Sequence, residues 1–264
     1  MALPAKRLIS LRNHVREQVQ THILRRLDEI STCEVPYPHF WLREVFPAET
    51  YAQMLQRLPA DADFVPLKAE RFYRQDGVST RLSLPVLTHY LQKLPGDNAD
   101  FWLGIHDVLH SVELKRAVYR KLAPGLMYRF GVATSQVEEL PGVPAPRFFR
   151  ERDGYAITPH PDTRRKIVTL QFALPEDRSQ LDLGTGIYVR SLMPADWIGQ
   201  PSGFRGFRKV QQYPFEPNSA FAFSVLNSLG KKSWHGREKL DRDSGVRNSI
   251  LTIYYATQAD VDIE

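Results

Sequence analysis

Cysteine is nearly missing from this chain of 264 residues: Cys33 stands alone, which excludes an intramolecular disulfide and fits a reducing compartment. Long apolar runs are missing too, since none approaches the roughly 20 residues that a bilayer crossing needs. The opening residues, Met1-Ala2-Leu3-Pro4-Ala5-Lys6-Arg7, lack the apolar stretch and small-residue cleavage site of a secretory signal. Together these absences predict a cytoplasmic protein with no membrane span. No internal repeat and no low-complexity tract occurs, which argues against solenoids and disordered linkers. Charge of one sign is not concentrated either. The net charge of +5 is spread along the chain, and Arg205-Gly206-Phe207-Arg208 is too short a basic-aromatic run to signal nucleic acid.

The composition, 42% hydrophobic and 25% charged, is that of an ordinary globular protein, and the length suits a single domain. Apolar residues at 8, 11, 15, 19, 23, 27 and 30 mark one face of a helix over Leu8 to Ile30. Its other side carries Arg12, Arg16, Glu17, Arg25, Arg26 and Glu29, so this helix is expected to cover a sheet. Prolines hold Val35 to Trp41 extended. A second helix is predicted over 48–58, residues 61–84 read as irregular, and further helices are predicted over Asn98 to His110 and Ser111 to Leu122. His106 and His110 share a helix face at metal-ligand spacing, but Asp107 rules out a His-Glu-x-x-His motif. They read as ordinary helix histidines.

After residue 125 the texture changes. Strand-like runs are predicted at 126–139, 147–158, 166–174, 184–190, 209–214, 219–226 and 247–256, separated by proline- and glycine-rich breaks. Helices first and many short strands afterwards predict an α+β fold, mainly β. The expected architecture is a jelly-roll core over 126–256 with a helical layer from 1–125 packed outside it.

The chemistry-bearing residues lie in that second part. Alternate residues of a strand share a face, so His160 and Asp162 can enter one cavity. His235 lies 73 residues beyond Asp162 and reaches the same mouth only if the fold returns the chain there. Two histidines and one carboxylate leave open positions on an octahedral metal, an arrangement that suits Fe(II) binding a chelating cosubstrate and O2. Arg247 opens an otherwise apolar strand and needs an anionic partner. The planar fork of its guanidinium matches a carboxylate of a keto acid, and a salt bridge to Asp241 or Asp243 is the alternative.

A lone His-x-Asp is common, and the order around it carries more information. It is followed by the strand from Lys166, by Gly184-Thr185-Gly186 opening another, by Pro217 to Phe223, by His235, and by Arg247 twelve residues on. Over residues 126–256 this order resembles the 2-oxoglutarate/Fe(II)-dependent dioxygenases, in particular the prolyl-hydroxylase-like branch with its double-stranded β-helix. The resemblance implies that His160, Asp162 and His235 bind iron and that Arg247 pairs with the distal carboxylate of 2-oxoglutarate. It also suggests a hydrogen bond from Ser249. Tyr155 and Thr169 are expected either to point into the cavity and touch the cosubstrate or to pack in the core. Related halogenating enzymes replace the triad carboxylate with a small residue. Asp162 therefore favours hydroxylation, or another hydrogen-abstraction outcome, with release of succinate and CO2. The expected substrate is a small molecule such as an amino acid or specialised metabolite, anionic or carrier-tethered. Two loops, 138–149 and 190–213, are expected to frame the mouth. A protein- or nucleic-acid-modifying dioxygenase and a non-catalytic jelly-roll binding module are the rival readings.

Overall fold

The structure is a computed structural model and describes residues 10–263. Its helices are α1 (Leu11–Glu29), α2 (Ala48–Gln56), α3 (Thr88–Leu91), α4 (Asn98–Leu109), α5 (Val112–Lys121), α6 (Ala123–Phe130) and α7 (Gln258–Asp262). Its strands are β1 (His39–Arg43), β2 (Val65–Pro66), β3 (Arg81–Pro85), β4 (Val143–Glu151), β5 (Ile157–His160) and β6 (Lys166–Ala173). They continue with β7 (Gly186–Arg190), β8 (Phe207–Gln212), β9 (Ser219–Ser224), β10 (His235–Arg237) and β11 (Arg247–Tyr255). All pair antiparallel, in a seven-stranded sheet ordered β1-β9-β6-β11-β4-β3-β2 and a four-stranded sheet ordered β5-β10-β7-β8.

The large sheet is buried on both faces, for two different purposes. Along β11, Ile250 and Tyr254 join the main hydrophobic core, while Arg247, Leu251 and Ile253 line a cavity on the other side. The period-2 alternation of a strand sets that division, and β4 repeats it with Phe148 on the core side and Arg147, Phe149 and Glu151 in the cavity. Helices cover the core side. Trp102 of α4 meets Phe148 edge-on at 4.7 Å. In turn α1 lies on α4 and buries Val15, Val19, Ile23 and Leu27, the stripe that the spacing predicts. Helix α4 is buried from Phe101 through Ile105 because it is sandwiched between α1 and the sheet. Contact there is close: a Cβ on Gly104 would stand 2.7 Å from the Arg12 carbonyl oxygen. The expected apolar position Leu8 and residues 1–7, read as lacking a secretory signal, lie outside the described residues.

Three expectations need correction. The segment 126–139 is not a strand. It forms the end of α6 and a 3-10 turn over Thr134–Glu139. Pro124 in the first turn and Gly131 just past the end, at φ +66°, are helix start and stop signals that outweigh the aromatic, strand-like look of Tyr128 to Val132. The N-terminal half is not all helical, because β1 and β3 extend the large sheet along β9 and β4. The segment Val143 to Phe149 is no loop but most of β4. Its prolines are tolerated because Pro144 and Pro146 turn their nitrogens away from β11, beyond the end of β3, where the Pro146 carbonyl accepts from the Val86 N–H.

Among the described residues no helix is long and apolar enough to cross a membrane.

Candidate metal and diacid site

The two sheets enclose a cavity of about 560 Å³. On the small sheet β10 lies between β5 and β7, and His235 is registered directly opposite His160. Their rings are 4.4 Å apart between centroids. Asp162 follows just past the end of β5, and one ligand atom from each of the three side chains falls within 4.8 Å of the others. The chain segments expected to meet therefore do meet.

Each histidine is held in one tautomer. His160 Nδ1 lies 2.9 Å from the Thr158 carbonyl oxygen, and His235 Nδ1 lies 2.9 Å from that of Ser233. A carbonyl can only accept, so Nδ1 carries the proton in both rings and each Nε2 presents its lone pair to the cavity. Burial pushes His235 down to about 4 against the opposing pull of Asp162, and burial also lowers His160. Both are neutral at pH 7, as metal ligation requires. Asp162 behaves oppositely. Burial alone would raise it, but Lys166, then the two histidines and a hydrogen bond from Thr169 outweigh that and hold it at about 2. Thr169 Oγ1 donates to Asp162 Oδ2 at 2.9 Å, and Lys166 Nζ lies 3.2 Å from Oδ1. The triad is thus one ionised carboxylate and two neutral imidazoles, steered by backbone and second-layer hydrogen bonds.

A group of arginines lines the same cavity. Arg247 is 2% exposed and donates from all three of its nitrogens: Nη1 to Glu151, Nε to the Leu183 carbonyl at 2.8 Å, and Nη2 to Gln171 Oε1 at 3.2 Å. Phe215 stacks against its guanidinium at 4.0 Å. The sequence alternatives Asp241 and Asp243 are not its partners. Glu151, 1% exposed, also lies 3.1 Å from Arg81 Nε, and Arg237, 6% exposed, lines the same space. Burial lowers Arg237 to about 10, and the charge of Arg247 adds to that, so it remains a cation at neutral pH.

The remaining sequence candidates fall nearby with altered partners. Thr169 lines the cavity but its hydroxyl is committed to Asp162. Ser249 is fully buried beneath Gln171, whose Nε2 donates to its Oγ at 3.4 Å. Tyr155 lines the cavity between Phe72 and Arg81, and burial raises its phenol well above the usual range. Residues 190–213 do not line the cavity. Part of its lining comes instead from Leu67, Lys68, Arg71 and Phe72, in the segment read as irregular.

Glu151, Gln171 and Arg237 were not anticipated. Gln171 is signalled by its place two residues after Thr169 on one strand, and Arg237 by its place two after His235. His106 and His110 are ordinary helix histidines, their rings tilted against each other at 4.1 Å, with His106 Nδ1 beside Asp107.

No protein-family profile matches the sequence, and no curated protein matches it. Solved structures do. A prolyl-4-hydroxylase from Pseudomonas putida aligns with a TM-score of 0.51 at 13% identity, covering 89% of this chain and 99% of that one. The two share a fold. Lower in similarity are SnoN, a non-heme alpha ketoglutarate dependent epimerase from nogalamycin biosynthesis, and a 2OG-Fe(II) oxygenase family oxidoreductase from Burkholderia pseudomallei. SnoN has a TM-score of 0.46 at 11% identity, covering 89% of this chain and 82% of that one. The Burkholderia protein has a TM-score of 0.44 at 12% identity, covering 90% of each chain.

Proposed function

We propose that the protein is a 2-oxoglutarate- and Fe(II)-dependent dioxygenase that oxidises a C–H bond of a small molecule. The observation that carries this reading is the convergence of His160, Asp162 and His235, with both Nε2 lone pairs free, in a cavity that also holds buried guanidinium groups. The strand order of the two sheets fits a double-stranded β-helix, and the fold shared with the Pseudomonas putida prolyl-4-hydroxylase supports the same reading.

The residues suit the metal. Two neutral imidazoles and one carboxylate form the donor set that non-haem Fe(II) takes while keeping positions open for cosubstrate and O2. When bound, iron with 2-oxoglutarate and O2 supplies oxidative decarboxylation to succinate and CO2, coupled to oxidation of the substrate. The protein contributes position and exclusion of water. Asp162 stays ionised and is aimed by Thr169 and Lys166. The carbonyls of Thr158 and Ser233 fix the two rings, and Phe223 packs 4.4 Å from the His235 ring as a dry backing. The buried guanidinium groups, Arg247 among them, hold the far carboxylate of the diacid. Gln171 orients Arg247 and accepts from Thr185 Oγ1 at 3.2 Å.

Along the cavity wall, Phe149, Leu251, Ile253 and Tyr255 offer apolar contact, with Arg147 among them. A cavity of about 560 Å³ lies within the range of small-molecule sites, which supports a small substrate over a folded macromolecule. Incubating the protein with Fe(II), ascorbate, 2-oxoglutarate and a metabolite extract, followed by mass spectrometry, tests the proposal. Succinate above a metal-free control, with a product heavier by one oxygen, is expected. Absence of both across extracts contradicts it.

A further inference from the structure

Among the described residues, Glu151 is the one carboxylate beside three guanidinium groups of the cavity lining, those of Arg81, Arg237 and Arg247, and it does not serve them equally. It pairs with Arg247 and with Arg81. Arg247 has a hydrogen-bond partner on each of its nitrogens and the Phe215 ring against its face. Arg81 lies over Phe149 at 4.0 Å and over Tyr155 at 5.1 Å. Arg237 has neither kind of support. No carboxylate lies within ion-pair distance of it among the described residues. Its one hydrogen bond is a long one, from Nη1 to the Asp182 carbonyl at 3.4 Å, and its Nε is buried without a partner. The neighbouring Glu238 pairs with Lys209 instead, at 2.9 Å.

A buried cation without an anion is unfavourable, and a ligand carboxylate that enters beside it relieves the cost. Arg237 also occupies the right place. It lies two residues from His235 on β10 and lines the same cavity. Between them Gly236 lets β10 press against β5, where a Cβ would stand 2.8 Å from the Ile157 carbonyl oxygen. That contact fixes the strand from which both side chains project.

We propose that Arg237 is the residue whose charge binds the distal carboxylate of the diacid cosubstrate, with Arg247 acting as a second donor already neutralised by Glu151. The inference rests on the reading of the cavity as a 2-oxoglutarate site, and it assigns the electrostatic part of that recognition to a different arginine.

The test is calorimetric binding to the Fe(II)-loaded protein without O2. Two probes are used: 2-oxoglutarate, and 2-oxopentanoate, which keeps the 2-oxo acid end but lacks the distal carboxylate. Arg237→Gln should weaken 2-oxoglutarate about tenfold or more, the effect of losing a charged hydrogen bond, and leave 2-oxopentanoate unchanged. Arg237→Lys should restore part of the loss. The Tm of the metal-free Arg237→Gln protein should equal or exceed that of the parent, because an unpaired buried charge has been removed. Equal weakening of both probes, or no weakening of 2-oxoglutarate, overturns the proposal. If the parent protein binds neither probe, the 2-oxoglutarate reading itself fails, which is a different outcome.

Discussion

Glu151 and Arg247 face each other across β4 and β11 and close an ion pair of which almost nothing is exposed. The strand register makes the pair, because the two residues are direct partners at the end of the β4–β11 ladder. Arg247 is therefore a structural element before any ligand arrives. Arg247→Gln strands a buried carboxylate beside Arg81 and should cost about 3 kcal/mol of stability, in addition to any loss of ligand affinity. Urea unfolding of the two single variants and the Glu151→Gln/Arg247→Gln double variant should give a coupling of about 1–3 kcal/mol. A coupling near zero would mean that the pair does not form.

Thr169 does its work through Asp162. Replacing it with Val keeps the shape of a β-branched strand residue but removes the hydroxyl that holds Oδ2. Metal affinity should fall about 10- to 100-fold while circular dichroism stays that of the parent. Unchanged metal affinity would show that Lys166 alone suffices to aim the carboxylate.

Acid should unfold the metal-free protein sooner than its carboxylates alone would dictate. Burial, with the charge of His106, lowers His110 to about 4, and burial lowers His235 to about 4, against 6.5 for a free imidazole. Between those values the unfolded chain binds protons that the folded chain refuses, so stability rises with pH from about 4 to 6.5 and levels off above that. Each histidine contributes a slope of up to about 1.4 kcal/mol per pH unit. The urea midpoint should drop between pH 7 and pH 5, and His110→Gln should flatten the drop. An equal drop in that variant would locate the titration elsewhere.

Much of this architecture is written in local pattern. The helices over Asn98–Leu109 and Val112–Lys121 match their apolar spacing to within a residue or two. His160, Asp162 and His235 were legible because their spacing brackets a run of strand signals. What escaped the sequence depends on pairing between distant segments. Strands β1 and β3 stand among helices and turns with no run of strand signals beside them, and partners on β9 and β4 make them strands. The prolines of β4 argue for a loop until the end of β3 leaves no strand on their side that would need their missing N–H. Glu151 and Arg237 carry no motif, and their importance comes from burial beside other charges. The glycine of Gly184-Thr185 marks a strand start, as read, but its necessity is tertiary: a Cβ there would lie 1.6 Å from the Tyr213 carbonyl oxygen.

The central claim is that His160, Asp162 and His235 together hold one ferrous ion. Anaerobic equilibrium dialysis with Fe(II) tests it most directly, with circular dichroism confirming that each variant is folded. The parent protein should bind a single equivalent, and His235→Ala should lose it while remaining folded. Iron binding of parental strength in folded His235→Ala, or none in the parent, would contradict the account.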